Sequence, residues 1–131
     1  MLVGVGVDLL HLSRLRAVLA RRDPARLAGR ILCTDELHDW RNLGGSTFQS
    51  ERYLALRWTA KEAAYKALYP LCTPTWKDLC VSKAGPKPVL GFASDSRLAP
   101  ASSDRLERLR MHLSVSHDAD LMVAYVVIEQ T

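Results

Sequence analysis

The chain has no apolar run approaching the roughly 20 residues that a membrane-spanning helix needs, and it has no internal repeat and no low-complexity tract. Cysteine is scarce as well. The three present, Cys33, Cys72 and Cys80, are an odd number without CxxC spacing, which argues against a disulfide framework or a zinc knuckle and points to a reducing compartment. Aromatics are few: two phenylalanines, three tryptophans and four tyrosines, with no recognisable nucleic-acid motif around them. A base-stacking RNA or DNA surface would need more. Met1 runs directly into strand-like Leu2 and Val3, so a secretory or transit segment is expected to be absent or already removed.

What is there suits one folded unit. With 131 residues, 48% hydrophobic and 24% charged, the chain is expected to form a single domain spanning 1–131. The formal net charge is +4, and the excess is uneven. Arg14, Arg16, Arg21, Arg22, Arg26 and Arg30 face only Asp8 and Asp23 within residues 1–32. This pattern fits either an anionic partner or a solvated arginine-rich helix face.

Hydrophobic periodicity orders the chain. Leu2 to Val7 reads as a buried strand whose Gly4 and Gly6 let something approach the backbone closely, with Asp8 at its exit. Leu12, Leu15, Val18 and Leu19 then recur at helical spacing. Asp23 followed by Pro24 reads as the N-cap and first residue of a second helix that buries Leu27 and Ile31. Thr34, Asp35 and Glu36 open a third with a capping hydroxyl and two acids, Gly44 and Gly45 end it, and a mobile loop surrounds Ser46. The longest helix runs from about Phe48 to Leu68, burying Leu54, Trp58, Ala64, Tyr65 and Leu68, and Pro70 stops it.

The second half changes character. Leu79–Lys83, Val89–Phe92, Met111–His117 and Leu121–Glu129 read as strands, Ala93–Ser103 as a loop, and Asp104–Arg110 as a short helix. Strands without alternating crossover helices imply an α+β fold, a small antiparallel sheet packed on a long central helix.

Chemistry concentrates in two places. A hard divalent cation such as Mg²⁺ takes one or two carboxylates, with waters and substrate phosphates completing its shell. Asp8 and Glu62 meet that count if the fold joins them. The alternatives are a helix N-cap for Asp8 and, for Glu62, an exposed pair with Lys66 worth about 0.3–0.5 kcal/mol. Ala60, Ala63, Ala64 and Ala67 flank Glu62 and allow other groups to pack close, and Lys61 and Lys66 supply positive charge for a pyrophosphate. Arg57 lies one turn before Lys61.

The segments GVGVD at Gly4–Asp8 and WTAKEAAYKA at Trp58–Ala67 resemble the two signature motifs of the 4′-phosphopantetheinyl transferases, specifically the small holo-acyl-carrier-protein synthase type. The likeness extends to DLLHLSR after the first motif, to GRIL at Gly29–Leu32, PKPVL at Pro86–Leu90 and SVSH at Ser114–His117. Such enzymes move the phosphopantetheine arm of coenzyme A onto a serine of an apo acyl carrier protein and release adenosine 3′,5′-bisphosphate. The resemblance implies Asp8 and Glu62 as Mg²⁺ ligands, and Lys66 as the pyrophosphate contact. It also implies Arg57 and His117 near the coenzyme A 3′-phosphate, and Pro88 beside the adenine. Arg14 and Arg30 fall where the family meets the acidic helix of its carrier protein. For the serine proton, Glu62 is the expected base, directly or through a metal-bound water, with His117 and Asp118 as rivals.

The chain departs from many bacterial members after the second motif. They carry a glycine-rich turn where this sequence has Leu68, Tyr69 and Pro70, then Thr73 to Trp76. YKALYP followed by TWKDL resembles fungal mitochondrial members, which implies a mitochondrial home, with the cytoplasm as the alternative. Small members resemble trimers with the coenzyme A cleft between subunits, so a homotrimer is expected. The competing functions are a basic nucleic-acid-binding module and a carrier-protein binder without catalysis.

Overall fold

A computed structural model describes residues 1–44, 47–99 and 104–131. Strand β1 (Leu2–His11) leads into helices α1 (Leu12–Arg21), α2 (Pro24–Ile31) and α3 (Thr34–Arg41), and then into the long α4 (Thr47–Leu68). A 3-10 turn at Trp76–Asp78 precedes β2 (Leu79–Lys83) and β3 (Pro88–Phe92), followed by α5 (Asp104–Glu107), β4 (Leu109–Asp118) and β5 (Leu121–Gln130). The expected Gly45 end of α3, the loop at Ser46 and the end of the Ala93–Ser103 loop fall outside the described residues.

The strands form an antiparallel three-stranded sheet in the order β1-β5-β4 and a separate antiparallel β2-β3 hairpin. Together with α4 packed across β1 and β5, this is the α+β layout the pattern predicts. Two apolar clusters hold it. One joins α4 to β5, β2 and β3 through residues such as Ala63, Leu68, Val81 and Val126. The other gathers Leu15, Leu27, Ile31, Leu54 and Met122 under α1 and α2.

Glycine permits a close approach of β1 to α4. Gly4, Gly6 and Asp8 lie two residues apart and share the β1 face that looks at α4. A Cβ built on Gly4 would collide with the carbonyl oxygen of Ala67, and one on Gly6 with that of Ala63. The strand backbone therefore rests directly on the helix backbone, and the small side chains at Ala63 and Ala67 make room for it.

Several boundaries move. β1 does not stop at Val7: it pairs with β5 through His11↔Leu121, so Asp8 sits within the strand opposite Ala124 rather than at its exit. Asp23 caps α2 as the Asp-Pro step predicts, accepting from the Ala25 N–H at 3.1 Å. At α3 the N-cap is Cys33, not Thr34, whose hydroxyl instead donates to Asp95 at 3.0 Å. Trp58 is half-buried and Tyr65 is 39% exposed, contrary to expectation. α4 buries residues on several sides, and its small alanines rather than its large rings meet the sheet.

Candidate active site

Two groups of side chains emerge, on different sides of α4. The first forms where β1 crosses the helix. Lys66 donates from its ammonium to the Val7 carbonyl at 2.9 Å and to Asp8 Oδ1 at 3.1 Å. Glu62, one turn before Lys66, feels the charges of Asp8, Lys66 and Arg14. Its carboxyl is raised above the ordinary range, first by burial and then by Asp8, with Lys66 and Arg14 opposing. Two carboxylates separated by more than fifty positions thus share one electrostatic neighbourhood with two cations. Oxygen donors so paired fit a hard divalent ion such as Mg²⁺. Glu62 also lines a hollow of about 270 Å³ with Tyr65, Thr75 and Trp76.

The second group surrounds a cavity of about 890 Å³ whose wall includes Arg52, Tyr53, Arg57, Cys80, Lys83 and His117. Arg57 and His117, sixty positions apart, are brought to the same cavity, and Pro88 is the partner of Lys83 across the β2-β3 hairpin. The same wall carries Asp35, Glu36 and Asp39, so Arg52, Arg57 and Lys83 are local anchors for an organic phosphate on a wall of mixed charge. In one chain this cavity and the Asp8–Glu62–Lys66 group have no lining residue in common.

The family is fixed by comparison. A model of the 4'-phosphopantetheinyl transferase superfamily matches residues 4–121. The chain belongs to this superfamily. It is 34% identical over 131 residues to a holo-[acyl-carrier-protein] synthase of Anaeromyxobacter sp. strain K, covering all of this chain and 98% of the relative. Its fold superposes on the crystal structure of the synthase from Neisseria meningitidis with a TM-score of 0.80 at 28% identity, over 99% and 100% of the two chains. The Bacillus anthracis synthase in complex with CoA (3',5'-ADP) gives 0.74, also at 28% identity, over 100% and 99%. These relatives are bacterial, and the fungal mitochondrial likeness is not borne out by them.

Within this phosphopantetheinyl transferase, Lys61 lines the same small hollow as Glu62, but its ammonium is held by partners inside the chain. The residue is 2% exposed, and all three ammonium protons are committed: to the Ile31 carbonyl at 2.8 Å, to the Trp76 carbonyl at 3.0 Å and to Glu36 Oε1. Burial pushes its pKa down, and Glu36 restores it only in part. The helix pattern accounts for the burial. Leu54, Arg57, Lys61, Ala64 and Leu68 follow a three-four spacing and share the buried stripe of α4, whereas Glu62 and Lys66 lie on another face.

Glu36 is a buried neighbour of Arg57 and Lys61 that the sequence pattern does not reveal. It is 1% exposed and ties together α3, α4 and β2. Oε1 accepts from the Cys33 N–H at 2.9 Å and from Lys61, and Oε2 accepts from the Val81 N–H at 2.8 Å and stands 3.6 Å from Arg57 Nε. Buried ions are retained where such partners compensate them. The same docking of α3 on β2 joins Cys33 and Cys80 in a disulfide, with Cα atoms 5.9 Å apart, which corrects the expectation of unpaired cysteines. Their separation of 47 positions carries no local spacing signal. Cys72 remains a free thiol.

The arginines divide. Arg14 stands near Glu62, and Arg30 lines a surface hollow of about 620 Å³ with Arg21, Arg22 and Arg26. Arg16 is engaged within the chain, by Glu51 and by Asp120, each at 3.0 Å.

Proposed function

We propose that residues 1–131 act as one holo-acyl-carrier-protein synthase domain, transferring the 4′-phosphopantetheine arm of coenzyme A to a serine of an apo acyl carrier protein and releasing adenosine 3′,5′-bisphosphate. The observation that carries this reading is the meeting of Asp8, Glu62 and Lys66 where β1 crosses α4. Asp8 and Glu62 would hold Mg²⁺, whose chemistry is to neutralise charge on the diphosphate. Lys66 offsets charge growing on the leaving phosphate, a contribution made by a fixed cation rather than by a bond change. Arg57 and His117 bind the 3′-phosphate end of coenzyme A, and Pro88 flanks its adenine. Glu62, made more basic by burial, accepts the serine proton, with His117 and Asp118 as the rival bases. Arg14 and Arg30 receive the acidic helix of the carrier protein.

Incubation with coenzyme A, Mg²⁺ and an apo acyl carrier protein is expected to add the arm to the carrier, read by intact mass. A chain that binds carrier protein yet adds no mass to any of several carriers would be a binder, not an enzyme. Asp8→Asn and Glu62→Gln are each expected to lower kcat/KM by about 100-fold or more. If Glu62→Gln kept full turnover, Glu62 would be removed from both roles.

Two features support a homotrimer with its clefts between subunits. The outer sheet face is apolar and unshielded: Val5 pairs with Val127, Val7 with Tyr125 and Leu9 with Val123, and Val7 is 51% exposed. Contiguous exposed apolar surface of this kind marks an association site. The phosphate-binding cavity and the carboxylate group, separate within one chain, would complete one site when neighbouring copies face each other. Tyr125→Glu, at the middle of that face, is expected to turn the trimer into monomers by light scattering, with transfer falling in parallel. A wild-type monomer with full activity would overturn this assembly.

A further inference from the structure

We infer that Tyr53 and Glu36 are positioning residues that hold the Arg57 guanidinium for the 3′-phosphate of coenzyme A, and that through them the enzyme distinguishes coenzyme A from its 3′-dephospho form. The inference rests on the coenzyme A reading above and adds the cause of its selectivity.

The geometry is that of a clamp. Tyr53 and Arg57 are four residues apart on α4, so they stack along one helix face. The guanidinium carbon lies 3.5 Å from the centroid of the Tyr53 ring, a cation–π contact at close range. On the other elements, Arg57 Nη2 donates to the Val81 carbonyl at 3.4 Å, and its Nε faces Glu36 Oε2 at 3.6 Å without forming a hydrogen bond. The Tyr53 hydroxyl closes the clamp by donating to the Glu36 backbone carbonyl at 3.0 Å. Arg57 is 7% exposed, and what it shows faces the cavity that His117 also lines.

Charge bears on which cation meets an anion here. Glu36 is shared between Lys61 and Arg57, and Asp39, on the same cavity wall, also acts on Arg57. Lys61 has no donor to spare, so Arg57 is the cation of the pair that faces the cavity. Burial depresses the Arg57 pKa, and the neighbouring Tyr53 and Glu36 oppose that shift. An arginine free to rotate would lose rotamer freedom on binding a phosphate; one already stacked and flanked does not.

The test compares kcat/KM for coenzyme A and 3′-dephospho-coenzyme A in wild type, Tyr53→Leu and Tyr53→Phe. Wild type is expected to prefer coenzyme A. Tyr53→Leu should lower that preference about 10-fold by raising KM for coenzyme A alone at unchanged kcat, whereas Tyr53→Phe, which keeps the ring, should retain most of it. Equal loss on both substrates, or an unchanged preference in Tyr53→Leu, would overturn the inference. Should Tyr53→Leu fail to fold, Arg57→Lys keeps the charge but loses the flat stack. Its affinity for adenosine 3′,5′-bisphosphate should approach that for adenosine 5′-monophosphate, and an undiminished difference would overturn the inference. A wild type that transfers the arm without preference defeats the clamp alone. A wild type that transfers nothing defeats the underlying function.

Discussion

Lys61→Met is expected to lower stability by about 3–5 kcal/mol, because removing one partner of a buried ion pair leaves the other charge uncompensated. Methionine preserves the length and apolar stem of the side chain, so the loss isolates the ammonium. Without it, Glu36 keeps its N–H donors from Cys33 and Val81 but loses its closest cation, and the Ile31 and Trp76 carbonyls lose theirs. Thermal unfolding followed by circular dichroism should show the midpoint falling by about 10 °C or more. The opposite result is informative too. A variant of near-wild-type stability with weakened coenzyme A binding would return Lys61 to the cleft, where the sequence motif had suggested it.

Gly6→Ala should damage stability and activity together. The new methyl would meet the Ala63 carbonyl and the Ala67 nitrogen, all backbone atoms that no rotamer change can move aside. Strand and helix must separate, an overpacking cost of about 1–3 kcal/mol. Asp8 rides on the same strand two residues later, so the separation carries it away from Glu62 and Lys66. A misplacement of about 1 Å at a reacting centre is worth about 100-fold in rate. The control is Gly29→Ala within α2, where nothing lies within 4 Å of the added carbon. That change should leave transfer intact and hold or slightly raise stability. If Gly6→Ala were as mild as Gly29→Ala, the close approach would have no part in building the site.

Local rules recovered the elements wherever neighbours in sequence decide the outcome. Asp23 and Pro24 mark the start of α2, Pro70 lies just beyond the end of α4, and alternation and turn residues delimit the β2-β3 hairpin. The two glycines ahead of Asp8 signalled a close approach, and the approaching object proved to be α4. Local rules fell short where long-range contacts decide. β1 continues past Asp8 because β5 is there to pair with it, and Cys33 meets Cys80 because α3 docks on β2. Glu36 looked like an ordinary first-turn acid, since its partners Lys61 and Val81 lie 25 and 45 positions away. Lys61 was legible in principle from its place between Arg57 and Ala64 on the buried stripe.

The alternation along β1 has a bearing on how the chain folds correctly. Sliding the strand by one residue against β5 would turn Val5 and Val7 toward α4 and leave the two glycines facing outward. Valine cannot occupy the space at Ala63 and Ala67 that excludes even one methyl group. The glycine pair thus acts as a keyway: the arrangement that would strip the carboxylate from its lysine is the one the helix refuses to accept, so misthreaded copies are rejected before they can pass as finished protein.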